Sequence, residues 1–271
     1  MHGCSAITAI TVQNTVEVRA VHPVPPDVVL AQIRAVLADI GVDAVKVGML
    51  GTAPVTLAVA RALDELPAGT PVVVDPVMVA ESGARLLDPD AQRALVGEIL
   101  PRATVLTPNL PEARVLVGEA DAPSDSDGGR TDRPAGAPGP RPGLRDPAFR
   151  ADRDEDDEAE ALARALLALG PRVIVLTGGH RARAADLFLD STGDGSVVSI
   201  EGAREPDGAA HGSGCTHSSV LAGQLALGRS PLDAARTARA LAGEAVANGL
   251  RDVGAGAGPV DVLDLGRMRA S

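Results

Sequence analysis

The chain has 271 residues, 45% of them hydrophobic, and 25 Lys and Arg against 36 Asp and Glu give a formal net charge of -11. That charge excludes a phosphate backbone as partner, and Phe149 and Phe188, the only aromatics, offer bases no stacking platform. No apolar run approaches membrane-spanning length, the N-terminus lacks a basic-then-apolar leader, and Cys4 and Cys215 make no disulfide scaffold, so a cytoplasmic protein is expected.

A core made almost without aromatics must use Val, Leu, Ile and Ala, which suits a parallel sheet covered by helices. In chain order, Ala6 to Val12 reads as a buried strand. Asp27 to Ile40 has helical spacing, with Asp27 as its N-cap. A strand through Ala44 to Val47, a helix from Ala53 to Leu66 and the strand Val72 to Val74 follow. Asp88 opens a helix to about Leu100, and Thr104 to Leu106 is a short strand. This rhythm predicts an α/β fold, a mostly parallel sheet with helices on both faces.

Residues 120–158 are rich in Asp, Gly, Pro and Arg and hold almost no aliphatic side chains, so the expectation is a disordered insertion within one domain spanning 1–271. A helix from about Asp157 to Leu169 and the strand Val173 to Leu176 resume the pattern. Asp186 to Leu189 and Val197 to Ile200 read as a hairpin, and helices over Thr216 to Leu227 and Leu232 to Asn248 complete the chain.

Three segments carry chemistry. His211-Gly212-Ser213-Gly214-Cys215-Thr216 precedes an apolar helix; glycines uncover successive amides there, and the helix start adds a positive dipole end, together suiting a phosphate or a developing negative charge. Alone, such a GxG marks many structural turns. Cys215 stands where a helix start lowers a thiol's pKa. Asp75, in Val72-Val73-Val74-Asp75-Pro76-Val77-Met78, ends a buried strand on the edge where open α/β sheets bind ligands. Thr107-Pro108-Asn109-Leu110-Pro111-Glu112 brings Asn109 and Glu112 to the same rim, where oxygen ligands suit Mg²⁺. At two other strand ends, the Gln13 amide can read a heterocycle's edge and Met49 can supply an apolar wall.

Taken in order, ITAITVQNT, VKVGML, VVVDPVM, TPNLPEA, TGGH and HGSGCT resemble the landmarks of hydroxymethylpyrimidine/phosphomethylpyrimidine kinases, of ribokinase-like fold. The resemblance implies ATP-dependent phosphorylation of 4-amino-5-hydroxymethyl-2-methylpyrimidine and then of its monophosphate, for thiamine biosynthesis. It places Gly212, Gly214 and Cys215 at the anion hole, with Cys215 as the base. Gln13, Met49 and Val77 would meet the pyrimidine. Thr177, Gly179, Ser213 and Thr216 would meet the nucleotide, and Asp75, Asn109 and Glu112 would organise Mg²⁺. It also implies a homodimer.

Three departures stand against the family pattern. Members begin with a buried strand and a loop of the form GSDxSGGAG, whereas Met1-His2-Gly3-Cys4-Ser5 starts where they reach their second strand, and the expectation is a start codon assigned too late. Thr177 stands where the family often has Lys, and Arg204 to Ala210 lacks a Thr-rich approach to the anion hole. The rival expectations are a pyridoxal kinase and a degenerate binder without turnover.

Overall fold

The computed structural model describes residues 2–79, 86–120, 147–180, 183–205 and 209–264. Ala9–Gln13 (β1) and Val18–Pro23 (β2) pair antiparallel as a separate two-stranded ribbon. The strand expected at 6–12 is therefore neither buried nor part of the main sheet: Ile10 is 61% and Val12 48% exposed. Apolar spacing records what a strand could bury, and a ribbon of two strands buries little. Asn14 closes its turn, its Oδ1 accepting from the amides of Val16 and Glu17.

Pro26–Asp39 (α1) starts on a proline, which the first turn tolerates because its amide has no helical acceptor. Pro25 takes the capping place and Asp27 lies inside the first turn, a correction to its expected role. Val45–Val47 (β3), Ala53–Asp64 (α2) and Val72–Val74 (β4) follow as expected. Pro89–Ala94 (α3) continues through a π turn, Leu95–Ile99, and a 3-10 turn, Leu100–Arg102. Val105–Leu106 (β5) leads to Leu110–Ala120 (α4).

Residues 121–146, most of the segment read as an insertion, lie outside the described residues. Pro147–Leu167 (α5) begins at Pro147 rather than Asp157. Its first half, PAFRADRDEDD, has no apolar stripe in the sequence to betray it.

Val173–Leu176 (β6), Ala185–Asp190 (β7) and Val197–Glu201 (β8) complete the main sheet, with order β3-β4-β5-β6-β7-β8. The first four strands are parallel, and β7 and β8 add antiparallel at one edge. Ser213–Ala226 (α6) starts three residues before the expected Thr216, so Cys215 falls inside its first turn, and Pro231–Ala247 (α7) follows. Strand alternation divides the core. Val72, Val74, Ile174 and Leu176 face one cluster with Val29 of α1, Val55 of α2 and Ala163 of α5. Val73, Val105, Val173 and Val175 face the other with Leu221 of α6 and Ala235 of α7. Among the described residues, no helix is long and apolar enough to cross a membrane.

Candidate active site

Parallel strands end together, so the residues just beyond β3, β4, β5 and β6 form a shelf, and α6 starts above it. The shelf, the ribbon and the start of α6 enclose an open cleft of about 610 Å³. Gln13 from β1, Met49 beyond β3, Asp75 and Val77 beyond β4, and Asn109 and Glu112 at the start of α4 line it. So do Thr177 and Gly179 beyond β6, and Gly212, Ser213, Gly214 and Cys215. Thr216 does not: its hydroxyl donates to the Gly212 carbonyl at 2.9 Å, inside the helix start.

Gly212 takes the N-cap position of α6 at φ 90°, a left-handed backbone that favours glycine. The Ser213 amide donates to the Ala210 carbonyl at 3.0 Å. First-turn amides have no acceptor within a helix, and those of Gly214 and Cys215 have no backbone acceptor elsewhere among the described residues. These donors and the dipole of a 14-residue helix give the cleft one positive pole. A Cβ built on Gly214 would meet nothing within 4 Å, so the fold leaves the space above its backbone open.

The opposite wall is acidic. Asp75 is 6% exposed, and its Oδ2 lies 3.2 Å from Lys46 Nζ and 3.0 Å from Ser218 Oγ. Asn109 and Glu112 form a reciprocal cap at the start of α4: the Asn109 amide donates to Glu112 Oε2 at 3.0 Å, and the Glu112 amide to Asn109 Oδ1 at 2.8 Å. Burial pushes the Glu112 carboxyl up to about 7, with the nearby charge of Asp75 adding to the rise against the hydrogen bonds from the Asn109 and Met78 amides.

Cys215 is exposed to the cleft, yet the surrounding protein pushes its thiol above the usual range by desolvation. Lys46 works in the other direction, and Asp75 and Glu112 raise the thiol further. This corrects the expectation of a lowered pKa: the helix start and Lys46 favour the thiolate, but desolvation, with two facing carboxylates adding to it, outweighs them.

A divalent cation fits this wall. Lys46 and Ser218 occupy Asp75 Oδ2, which leaves Oδ1, and Glu112 supplies the second carboxylate. A cation relieves a carboxyl that burial and a neighbouring carboxylate push up, as at Glu112, and Mg²⁺ takes few protein oxygens while keeping several waters. Among the described residues no group of three or more His, Cys, Asp or Glu stands ready as a closed metal cage.

Sequence reasoning missed several residues that shape the cleft. Lys46, the one lysine, sits under Asp75. Ser218 Oγ lies within hydrogen-bond reach of both Asp75 Oδ2 and the Gly214 carbonyl, at 3.0 and 2.9 Å. Asp186, His217 and Arg239 line the far end of the cleft as a buried polar group. A charge opening the otherwise apolar run Asp186 to Leu189 was the available signal.

A family model described as phosphomethylpyrimidine kinase matches residues 1–130 and 149–261. Hydroxymethylpyrimidine/phosphomethylpyrimidine kinases of Mycobacterium bovis and Mycobacterium tuberculosis are each 37% identical over 264 residues, 97% of this chain and 84% of theirs. A crystal structure of phosphomethylpyrimidine kinase from Clostridium difficile superposes with TM-score 0.65 at 28% identity, covering 88% of this chain and 84% of that one. The pyridoxal kinase of Staphylococcus aureus, solved with AMP-PCP and pyridoxal, superposes with TM-score 0.71 at 27% identity, covering 97% and 83%.

Proposed function

The chain belongs to the phosphomethylpyrimidine kinase family, and from that premise we propose that it transfers the γ-phosphoryl group of ATP to 4-amino-5-hydroxymethyl-2-methylpyrimidine and then to the resulting monophosphate. One observation carries the reading. Cys215 and two first-turn amides without backbone acceptors stand on the same cleft as an acidic wall, so a proton acceptor, an anion cradle and cation ligands converge.

In this reading Gln13, Met49 and Val77 bind the pyrimidine, and Thr177, Gly179 and Ser213 bind the nucleotide, with Thr216 acting through the Gly212 carbonyl it holds. The hydroxymethyl oxygen forms its bond to the γ-phosphorus as the bond to the β-phosphate oxygen breaks and ADP leaves. The hydroxymethyl proton passes to the Cys215 thiolate. The Gly212, Gly214 and Cys215 amides meet charge as it grows on the phosphoryl oxygens. Asp75 and Glu112, with Asn109 bracing Glu112, hold Mg²⁺, which when bound neutralises phosphate charge. Because the thiol is pushed up, its thiolate is a minor form at neutral pH, and turnover rises with pH into the alkaline range. We place the enzyme in the cytoplasm as a homodimer, in one domain whose insertion is narrower than the expected 120–158, since Ala120 ends α4, Pro147 opens α5 and the family model leaves only residues 131–148 between its two matched stretches.

The decisive assay measures ADP release with the hydroxymethylpyrimidine, ATP and Mg²⁺, beside pyridoxal. Faster release with the pyrimidine supports the proposal. Pyridoxal is the second reading, favoured by the TM-score of 0.71 to the Staphylococcus aureus enzyme, and faster release with it would replace the first. Ligand-induced thermal stabilisation without ADP release would mark a binder that has lost turnover.

A further inference from the structure

We propose that His217 and Asp186 form a buried strut that fixes the first turns of α6 against the backbone amide of Gly178, so that two loops of the cleft are positioned as one unit. This rests on the reading of the cleft as a phosphoryl-transfer site, and it makes His217 a positioning residue for that reaction.

The geometry is specific. Asp186, 1% exposed on β7, divides its two oxygens between two elements. Oδ2 lies 3.1 Å from His217 Nε2 on α6, and Oδ1 accepts the Gly178 amide at 2.8 Å. Arg239 of α7 approaches the same Oδ1 at 3.8 Å. Burial pushes the Asp186 carboxyl up, but the hydrogen bond and charge of His217, then the Gly178 amide and Arg239, outweigh it and hold the carboxyl below its ordinary value. His217 Nδ1, also buried, has no hydrogen-bond partner among the described residues, so the ring's polar attachment runs through Asp186.

Stability alone does not account for this pair. Desolvating a carboxylate and an imidazole is costly, and an apolar contact of the same shape holds a helix on a sheet as well or better. The rest of this face uses that solution, with Leu221 and Leu225 of α6 packed among apolar residues. What the pair adds is register: a carboxylate with one oxygen on each partner tolerates little sliding. Gly178 lies close enough to β7 that a Cβ on it would fall 2.4 Å from the Ala185 carbonyl oxygen, so the turn beyond β6 has little room to shift. The next residue of α6 repeats the device on the other flank, Ser218 reaching Asp75 at 3.0 Å. Consecutive side chains thus hold the cradle helix to two different strand ends.

Hydrogen exchange and kinetics test the strut together. In the wild-type chain, the hydrogen-bonded amides of Gly178 and Thr216 should open with the same denaturant dependence; different slopes overturn the proposal without any variant. In His217→Phe both segments should exchange faster, and acceleration of one alone overturns it. Turnover of His217→Phe should fall about 10- to 100-fold with the pyrimidine KM within about twofold, the signature of misplaced rather than missing binding groups. His217→Gln, which can still donate to Asp186, should recover most of that loss, and a Gln variant as slow as Phe overturns the role. The double variant His217→Phe/Asp186→Leu should be no slower than His217→Phe, whereas multiplying losses would mean two independent roles. If the wild-type chain releases no ADP, the kinase reading fails while the exchange arm still decides the strut.

Discussion

Asp75 and Asp186 flank the same helix start and are set in opposite ways. Asp186 is enclosed: both oxygens are bonded, Arg239 stands behind it, and the net pull on its carboxyl is downward despite burial. Asp75 shares its surroundings with Lys46, Glu112 and Cys215, and there the carboxyl of Glu112 and the thiol of Cys215 are both pushed up. One flank satisfies its carboxylate on both oxygens, while His217 Nδ1 and Arg239 Nε beside it have no hydrogen-bond partner among the described residues. The other is frustrated, by desolvation first and by crowded carboxylates second, and groups left short of their preferred ionisation are the ones a cation or a proton can act on.

The largest effect that would sharpen this contrast is on rate. Cys215→Ala should lower turnover on the order of 10²–10⁴-fold with the denaturation midpoint unchanged, and wild-type turnover in the variant would remove the cysteine from the chemistry. Next is the support of Asp75. Lys46→Met leaves a 9%-exposed carboxylate side chain without its cation, and unfolding in urea should show a loss of about 3 kcal/mol, as for other broken buried pairs. A loss near zero would mean that Ser218 alone satisfies Asp75.

Glu112 gives a pH signature. Its folded-state pKa of about 7 lies above the ordinary 4.5, so the folded protein binds this proton more tightly than the unfolded chain does. The group's contribution is therefore most favourable at and below 4.5 and is withdrawn as pH rises through 7, by at most about 3 kcal/mol. Glu112→Gln, which preserves the helix cap, should be more stable than wild type at pH 8 and nearly equal at pH 4.5. A difference independent of pH would break the frustrated-flank picture.

Smaller still is the contrast between two glycines of the cradle. Gly212→Ala forces a side chain into φ 90° and should cost about 1 kcal/mol or more. Gly214→Ala meets open space and should fold as wild type, yet slow turnover if a phosphoryl group packs on that backbone. The exposed pair Arg34–Glu65, at 2.5 Å, sets the baseline: Arg34→Ala should leave the midpoint unmoved.

The contrast also explains what the sequence could show. Asp75, Asn109, Glu112 and the Gly212 to Cys215 run stand at strand ends or helix starts, where local chemistry and chain position together fix their place. His217 meets Asp186 across 31 positions and Ser218 meets Asp75 across 143, and no periodicity reports such contacts. The direction of the Cys215 shift failed for the same reason: the helix start is local, but the burial that raises the thiol, and the carboxylates that add to it from β4 and α4, come from distant parts of the chain. The βαβ rhythm was legible because alternating apolar runs are themselves the cause of the layers. The partnership of β1 was not, since an apolar strand does not record which strand will lie beside it.

Lys46 has a practical consequence. As the single lysine, placed in β3 between Val45 and Val47, it is the one peptide bond that a lysine-specific endoprotease can cut. Strand backbone must leave the sheet before a protease can seat it, so each cleavage event reports an opening of the main sheet at its β3 edge. One cut yields two fragments of fixed size, and the rate of their appearance is a gel-based clock for that opening, which ligand should slow.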